Sequence, residues 1–301
     1  MKKLIRLFVA LSAVAMLLVG TSCDPHLPTT DSAHQQAEGT LEVIFLDVGQ
    51  ADCILLKTDG HNMLIDAGVE LKNNRVTTAE INRVLGYLRE YDITHLDYLV
   101  ATHPHADHIG AMAAVINEMD SIGEILMPDA TSTSDTFKNY LKAIEEKDVP
   151  MTIPEPGDVF MLGEARMQVL APSSPTYSDV NDYSIVLRVE FGSKTFLLTG
   201  DAEAKSEREQ LDSGLSLKAD VLKVGHHGSR TSSSQAYLNA VDPIYAIISC
   251  GTGNSYGHPH NESMTRLVAM DVEIFRTDIH GTIIFKTDGN EITISVEKNS
   301  T

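Results

Sequence analysis

Residues 98 to 110, YLVATHPHADHIG, constrain this chain more than any other stretch. An apolar run, Tyr98 to Ala101, reads as a buried strand and stops at four metal-ligating side chains: His103, His105, Asp107 and His108. The residues that follow, His108 to Glu118, read as a helix. Ligands placed where a strand hands over to a helix sit where open α/β sheets hold their chemistry. His103 and His105 are two apart, so in an extended loop their side chains share a side. Asp107 and His108 then turn toward a neighbouring position, and one segment can serve two adjacent metal ions.

Three more strand-like runs end in groups of the same kind. Residues 62–66 end in Asp66. Residues 194–199 lead into Gly200-Asp201, and 219–224 lead into Gly225-His226-His227-Gly228. A carboxylate such as Asp201 can bridge two ions and fix their separation at about 3.5–4 Å. His226 and His227 are adjacent, so on extended backbone they point to opposite sides. One can be a ligand while the other faces substrate or packs. His258, in SYGHPH, follows another strand and is a further substrate-facing candidate. Asn181, Asp182 and Ser184 stand before a strand, where turn chemistry and a site-lining role explain them equally well.

The remaining elements follow from periodicity. Strands are expected over 41–47, 53–58, 62–66, 98–101, 122–127, two within 158–171, 184–191, 194–199, 219–224, 243–249, 272–275, 281–287 and 291–296. Helices are expected over 78–91, 108–118, 134–147, 203–211, 236–240 and 261–269. Strands and helices come in an early and a late series. That suggests two sheets back to back with helices outside, an α/β sandwich of four layers.

The N-terminus is different in kind. Lys2, Lys3 and Arg6 precede an apolar run, Leu7 to Val19, and the small residues Gly20, Thr21 and Ser22 precede Cys23. This reads as a secretory signal, residues 1–23, either of lipoprotein type with Cys23 as the lipid anchor, or cleaved nearby to release a secreted protein with Cys23 free. Residues 24–40 are polar and proline-bearing and read as a tether, leaving 41–298 as the catalytic domain. No apolar run after residue 23 is long enough to span a bilayer. Cys53 and Cys250 lie in strand-like runs, as buried thiols or as a disulfide.

The chain carries net charge −19. Loss of the first 23 residues removes Lys2, Lys3 and Arg6 and takes it to −22. Such a surface repels polyanions and argues against a stable nucleic-acid complex. It does not prevent a metal site from accepting one phosphate group.

HPHADH, the Asp of LIDAG, the Asp of LLTGD and the late histidines of KVGHHGS together resemble the metallo-β-lactamase superfamily. FLDVGQAD, THPHADHIG, NDYSIVL, LLTGD, LKVGHHGS and NSYGHP are similar to the branch found at the end of the ComEC-type competence proteins. Phosphorylcholine esterases of teichoic acid are also similar. The resemblance runs from about residue 41 to the last strands. It implies an αββα sandwich with two divalent ions, of zinc class with manganese as an alternative. By position, His103 and His105 would bind the first ion. Asp107, His108 and His227 would bind the second, Asp201 would bridge, and Asp66 would support the ligand loop. The superfamily usually brings a third histidine to the first ion from just before the LLTGD hairpin. This chain has no histidine between His108 and His226, and Asn181-Asp182 stands there instead.

The activity expected is a metal-dependent hydrolase that acts outside the cytoplasm, as a phosphodiesterase or nuclease. Two divalent ions outweigh Asp107, Asp201 and a bridging hydroxide, leaving a core of about +1 that attracts a phosphodiester. Asp107, His226 and His258 are the residues expected to act in catalysis, the two histidines on the phosphate or the leaving group. Amide or lactone hydrolysis, and a silent binding module of the same fold, are the alternatives.

Overall fold

The computed structural model describes residues 37–298, so the signal, Cys23 and most of the tether lie outside the described residues. The first half contains β1 (Leu41–Phe45), β2 (Ile54–Thr58), β3 (His61–Ile65), α1 (Thr78–Glu90), β4 (His95–Val100), α2 (Ala106–Ile109), α3 (Met112–Glu118), β5 (Ser121–Leu126), α4 (Asp135–Lys147) and β6 (Met151–Thr152). The second half contains β7 (Val159–Leu162), β8 (Ala165–Ala171), β9 (Val186–Phe191), β10 (Lys194–Leu198), α5 (Ala204–Asp212), β11 (Val221–Lys223), α6 (Gln235–Val241), β12 (Tyr245–Ile248), α7 (Asn261–Ala269), β13 (Glu273–Arg276), α8 (Thr277–His280), β14 (Ile283–Thr287) and β15 (Ile292–Val296).

One sheet runs β15-β14-β1-β2-β3-β4-β5-β6 and the other β13-β12-β11-β10-β9-β8-β7. Most strands are buried on both faces, which is why they read as near-continuous apolar runs. Side-chain alternation divides each run between two layers. Phe45, Ile54 and Leu56 point into the core between the sheets with Phe196, Leu198 and Val221. Ile44 and Leu55 face outward and pack with Val84, Leu88, Val115 and Tyr140 of the first helical layer. Leu197 and Leu222 face the other way, against Tyr237, Leu238 and Leu267. The result is the four-layer αββα sandwich expected from the two series of elements.

Parallel pairing gathers the ligand-bearing ends. β3 pairs parallel with β4, and β10, β11 and β12 are mutually parallel in that order. Their C-terminal ends therefore open on the same edge within each sheet.

Two expectations fail locally. The single helix expected over 108–118 is two, α2 and α3, interrupted at Gly110-Ala111. The backbone there is bonded to the β2 and β3 loops: Asp52 N donates to Asp107 O (2.9 Å), Ala67 N to His108 O (2.8 Å) and Ala111 N to Ala67 O (2.8 Å). Those bonds hold the ligand loop against the sheet at the expense of helical continuity. Gly68 allows the approach, since a Cβ there would meet Asp107 O at 1.7 Å. The extended backbone expected at His226-His227 is also absent. Both residues are left-handed, with φ/ψ of 48/49° and 52/27°. Gly225 and Gly228 flank them, and the local turn replaces the alternation on which the opposite-sides expectation rested. β6, α8 and the short 3₁₀ turns at 180–183 and 225–228 are too brief to leave a periodic signal.

Candidate metal centre

Asp201 is the focus of the site. It follows β10, and its backbone N–H donates to Ser184 Oγ at 3.0 Å. Four imidazoles converge on its Oδ2: His108 Nε2 at 3.2 Å, His227 Nε2 at 3.6 Å, His226 Nε2 at 3.8 Å and His103 Nε2 at 4.0 Å. Asp107, His108, Asp201 and His227 each offer a ligand atom within 4.8 Å of the others. These four form the compact half of the site.

His103 and His105 form the other half. His103 Nε2 lies 3.0 Å from His105 Nδ1. Two nitrogens sharing an ion at ~2.0–2.1 Å lie roughly 3–3.5 Å apart, so this spacing suits a common ion. His103 is fully buried, with Nδ1 3.2 Å from Thr102 Oγ1 and 3.3 Å from Ser184 Oγ. His105 lies at the surface of the cleft.

The outer contacts aim the ligands. His108 Nδ1 lies 2.7 Å from Asp66 Oδ2, while Asp66 also accepts from Thr102 N (2.8 Å) and Thr102 Oγ1 (2.7 Å). A carboxylate behind an imidazole fixes the tautomer and leaves Nε2 as the ligand. Asp66 thus supports the ligand loop. The grouping of Asp52, Asp66 and His108 is this support, seen from behind. His227 Nδ1 donates to Ser249 O at 2.9 Å, which again frees Nε2. Asp52 Oδ1 lies 3.4 Å from the same Nδ1, and Asp52 Oδ2 lies 2.8 Å from the ammonium of the fully buried Lys223.

The donor set fits a cation. Nε2 of His108, Nε2 of His227 and Oδ1 of Asp201 are buried and have no hydrogen-bond partner. Polar atoms are not left so without cause. The charges agree. Burial alone would push the Asp201 and Asp107 carboxyls up, but the facing imidazoles outweigh it and hold both below the usual carboxylate range. Burial would push His108 and His227 down, but Asp201 with Asp66, and Asp201 with Asp52, outweigh it. His108 is held well above its ordinary value and His227 is pushed up to about 10. The carboxylates therefore favour positive charge at this point, which a divalent cation would supply.

The cleft in front has a volume of about 250 Å³, and His105, Asp107, Asn181, Asp201, His226 and His258 are among its lining residues. Burial, then His227 and His226, push His258 down to about 4. Gln50 Oε1 accepts from Gly251 N at 3.0 Å, so its amide Nε2, 3.3 Å from His258 Nδ1, is the donor there. His258 is thus a neutral ring whose remaining N–H is Nε2.

Of the polar trio before β9, Asn181 lines the cleft. Asp182 Oδ1 accepts from Glu203 N and Ser206 N, both at 3.1 Å, and so caps α5. Ser184 steadies Asp201 and His103. Cys53 and Cys250 are both buried and free. Sequence reasoning passed over Asp52, Lys223, Gln50 and Glu203. A charged residue inside an apolar strand, as Lys223 is between Leu222 and Val224, was the available signal.

The metallo-beta-lactamase superfamily profile matches residues 46–252. ComE operon protein 3 of Bacillus subtilis is 31% identical over 265 residues, covering 85% of this chain and 34% of that protein. Recombination protein 2 of Haemophilus influenzae is 31% identical over 249 residues, covering 83% and 29%. Competence protein ComA of Neisseria gonorrhoeae is 31% identical over 249 residues, covering 82% and 32%. The chain spans about a third of the length of these relatives. Among solved structures, the metallo-beta-lactamase fold protein YhfI from Bacillus subtilis superposes with TM-score 0.55 at 13% identity, over 82% of this chain and all of that one. That likeness is one of fold.

Proposed function

The chain belongs to the metallo-beta-lactamase superfamily, in the branch of the ComEC-type competence proteins, and from that premise we propose that it is a dinuclear phosphodiesterase working outside the cytoplasm. The observation that carries the reading is the convergence of four imidazoles on Asp201, within 3.2–4.0 Å. His103, His105 and Asp201 would hold the first ion, and Asp107, His108, Asp201 and His227 would hold the second. A mixed set of imidazoles and carboxylates suits zinc, with manganese as the alternative. Bound there, the ions supply Lewis acidity and a water acidic enough to act at neutral pH.

The residues of the chain do the rest. Asp201 keeps its negative charge at the junction of both positions and fixes their spacing. Asp107, on the cleft wall, helps to orient the attacking water. His258 presents a neutral N–H to a phosphate oxygen, a donor that needs no proton exchange to bind the anion. The net charge of −19 keeps long polyanions off the surface, so the cleft suits a single phosphodiester or a chain end rather than a held duplex. We place the mature protein at the membrane through a lipid on Cys23. Among the described residues no helix is long and apolar enough to cross a bilayer.

The test is a substrate panel with the metal-loaded chain: a nitrophenyl phosphodiester, a phosphorylcholine ester, single-stranded DNA and a chromogenic cephalosporin. Turnover of one or more of the phosphodiesters, with the cephalosporin untouched, is expected. Hydrolysis of the cephalosporin alone would contradict the reading.

A further inference from the structure

The cleft does not end at the ion positions. It continues into a smaller pocket of about 70 Å³, whose walls include Glu70, Asn74, Ser255 and Tyr256. Gln50, Leu71, Asp107 and Tyr256 line both spaces. A group held in the second pocket therefore lies beside whatever the first one holds.

Both walls are set by the fold. On one side Lys72 and Arg75 exchange backbone bonds, N to O at 3.0 and 3.2 Å, and Asn73 and Asn74 turn the chain with φ of 53° and 58°. Asparagine tolerates that left-handed region better than most residues. Glu70, just before this turn, lies against Gly49, where a Cβ would meet its Oε2 at 2.5 Å. Its Oε1 is 2.8 Å from Lys72 Nζ. On the other side Asn254 ties the 251–258 loop together. Its Nδ2 donates to Gly251 O (3.0 Å) and His258 O (2.6 Å), and its Oδ1 accepts from His258 N (3.0 Å). The tied loop lays Tyr256 on His258, with rings 22° from parallel and centroids 5.7 Å apart, and His258 on His227 in the same way, at 26° and 6.2 Å. Tyr256 is nonetheless 59% exposed, so an aromatic held by stacking is left to solvent at the mouth of the cleft.

Size and charge select the occupant. At the ~10–15 Å³ that one water-sized group needs, the pocket takes roughly five to seven non-hydrogen atoms, the size of glycerol and far short of a nucleoside. No Lys, Arg or His is among its lining residues, so the next phosphate of a polynucleotide would meet Glu70 and Asp107 rather than a cation. Glu70 is already paired with Lys72, and Asp107 faces the second ion position, so the pocket does not call for a cationic group either. It offers a carboxylate, an amide, a hydroxyl and an aromatic face, which together match the hydroxyls and C–H surface of a polyol.

We propose that this pocket is the subsite for one alcohol of the phosphodiester, and that the alcohol is a small neutral polyol of glycerol size. Glu70, Asn74 and Ser255 bond its hydroxyls, and Tyr256 covers its C–H face. The inference rests on the phosphodiesterase reading and names its substrate class.

The experiment compares the p-nitrophenyl phosphodiesters of glycerol, methanol, thymidine and choline on the zinc-loaded full chain. The methyl ester has nothing to place in the pocket and sets the reference. The glycerol ester should exceed it in kcat/KM on the order of tenfold, chiefly through KM. Glu70→Gln and Ser255→Ala should each cut that preference about 2–10-fold. Tyr256→Ala should abolish it and Tyr256→Phe should retain it, with circular dichroism melts to confirm that each variant is folded. A glycerol ester no better than the methyl ester, or outrun by the thymidine or choline ester, would overturn the subsite alone. Saturation-transfer NMR with glycerol 3-phosphate reads the pocket without turnover. The glycerol protons should take up saturation in wild type and lose it in Tyr256→Ala. A wild type that transfers saturation but cleaves no diester would uphold the polyol subsite and overturn the phosphodiesterase reading. One that does neither would overturn both.

Discussion

Lys223→Met probes the support behind the second ion position. Lys223 is wholly buried, with its ammonium 2.8 Å from Asp52 Oδ2 and 3.0 Å from Val224 O. Removing it strands a buried carboxylate, which costs about 3–5 kcal/mol in comparable pairs. Burial would raise the Asp52 carboxyl, but Lys223 and His227 outweigh burial and lower it to about 2. About 3 kcal/mol shifts the melting temperature of a domain this size by roughly 6–12 °C. The sign follows from linkage. A carboxyl depressed in the folded state contributes stability above pH ~4, and loses it as pH falls toward 2. The deficit of Lys223→Met should therefore narrow between pH 7 and pH 3. Urea unfolding at both pH values measures it. The double variant Asp52→Asn/Lys223→Met removes both charges and should recover at least about half of the loss. Lys223→Met within ~0.5 kcal/mol of wild type, or a double variant that loses the sum of the singles, would refute the reasoning.

Other outcomes follow from the same geometry. Asp66→Asn, which unfixes His108, should lower affinity for the second ion about 10–100-fold with little change in fold, as read by metal titration. His258→Ala should leave metal content unchanged and slow phosphodiester turnover, with the loss divided between KM and kcat because a neutral donor serves binding as well as reaction. Cys23→Ala should move the protein from the membrane fraction to the soluble extracytoplasmic fraction. A wild type that fractionates as soluble would remove the anchor.

The sandwich was legible because its physics is repetitive. The apolar runs at 41–45, 54–58, 194–198 and 221–223 each serve two layers, and each ends within two residues at a polar residue or a glycine. The cluster of His103, His105, Asp107 and His108 was legible because three imidazoles and a carboxylate at a strand end have little structural use. Asp66 and Asp201 were found by the same placement. What stayed hidden depended on contacts far apart in sequence. Gln50 reaches Gly251 and His258, and Asp52 meets Lys223. Neither pairing leaves a local pattern. The left-handed turn at His226-His227 escaped because alternation assumes extended backbone, and the flanking Gly225 and Gly228 were the only warning.

The central claim is that Asp201 joins two ions into one phosphodiester-cleaving site. Its direct test compares wild type and Asp201→Asn, both loaded with zinc or manganese, for bound metal and for hydrolysis of bis(p-nitrophenyl) phosphate. The amide keeps the shape but discards the charge on which four imidazoles converge. Wild type should hold about two ions and show measurable turnover, and Asp201→Asn should hold fewer ions and show none. Full turnover in Asp201→Asn, or a wild type that holds two ions and leaves every phosphodiester intact, would contradict it.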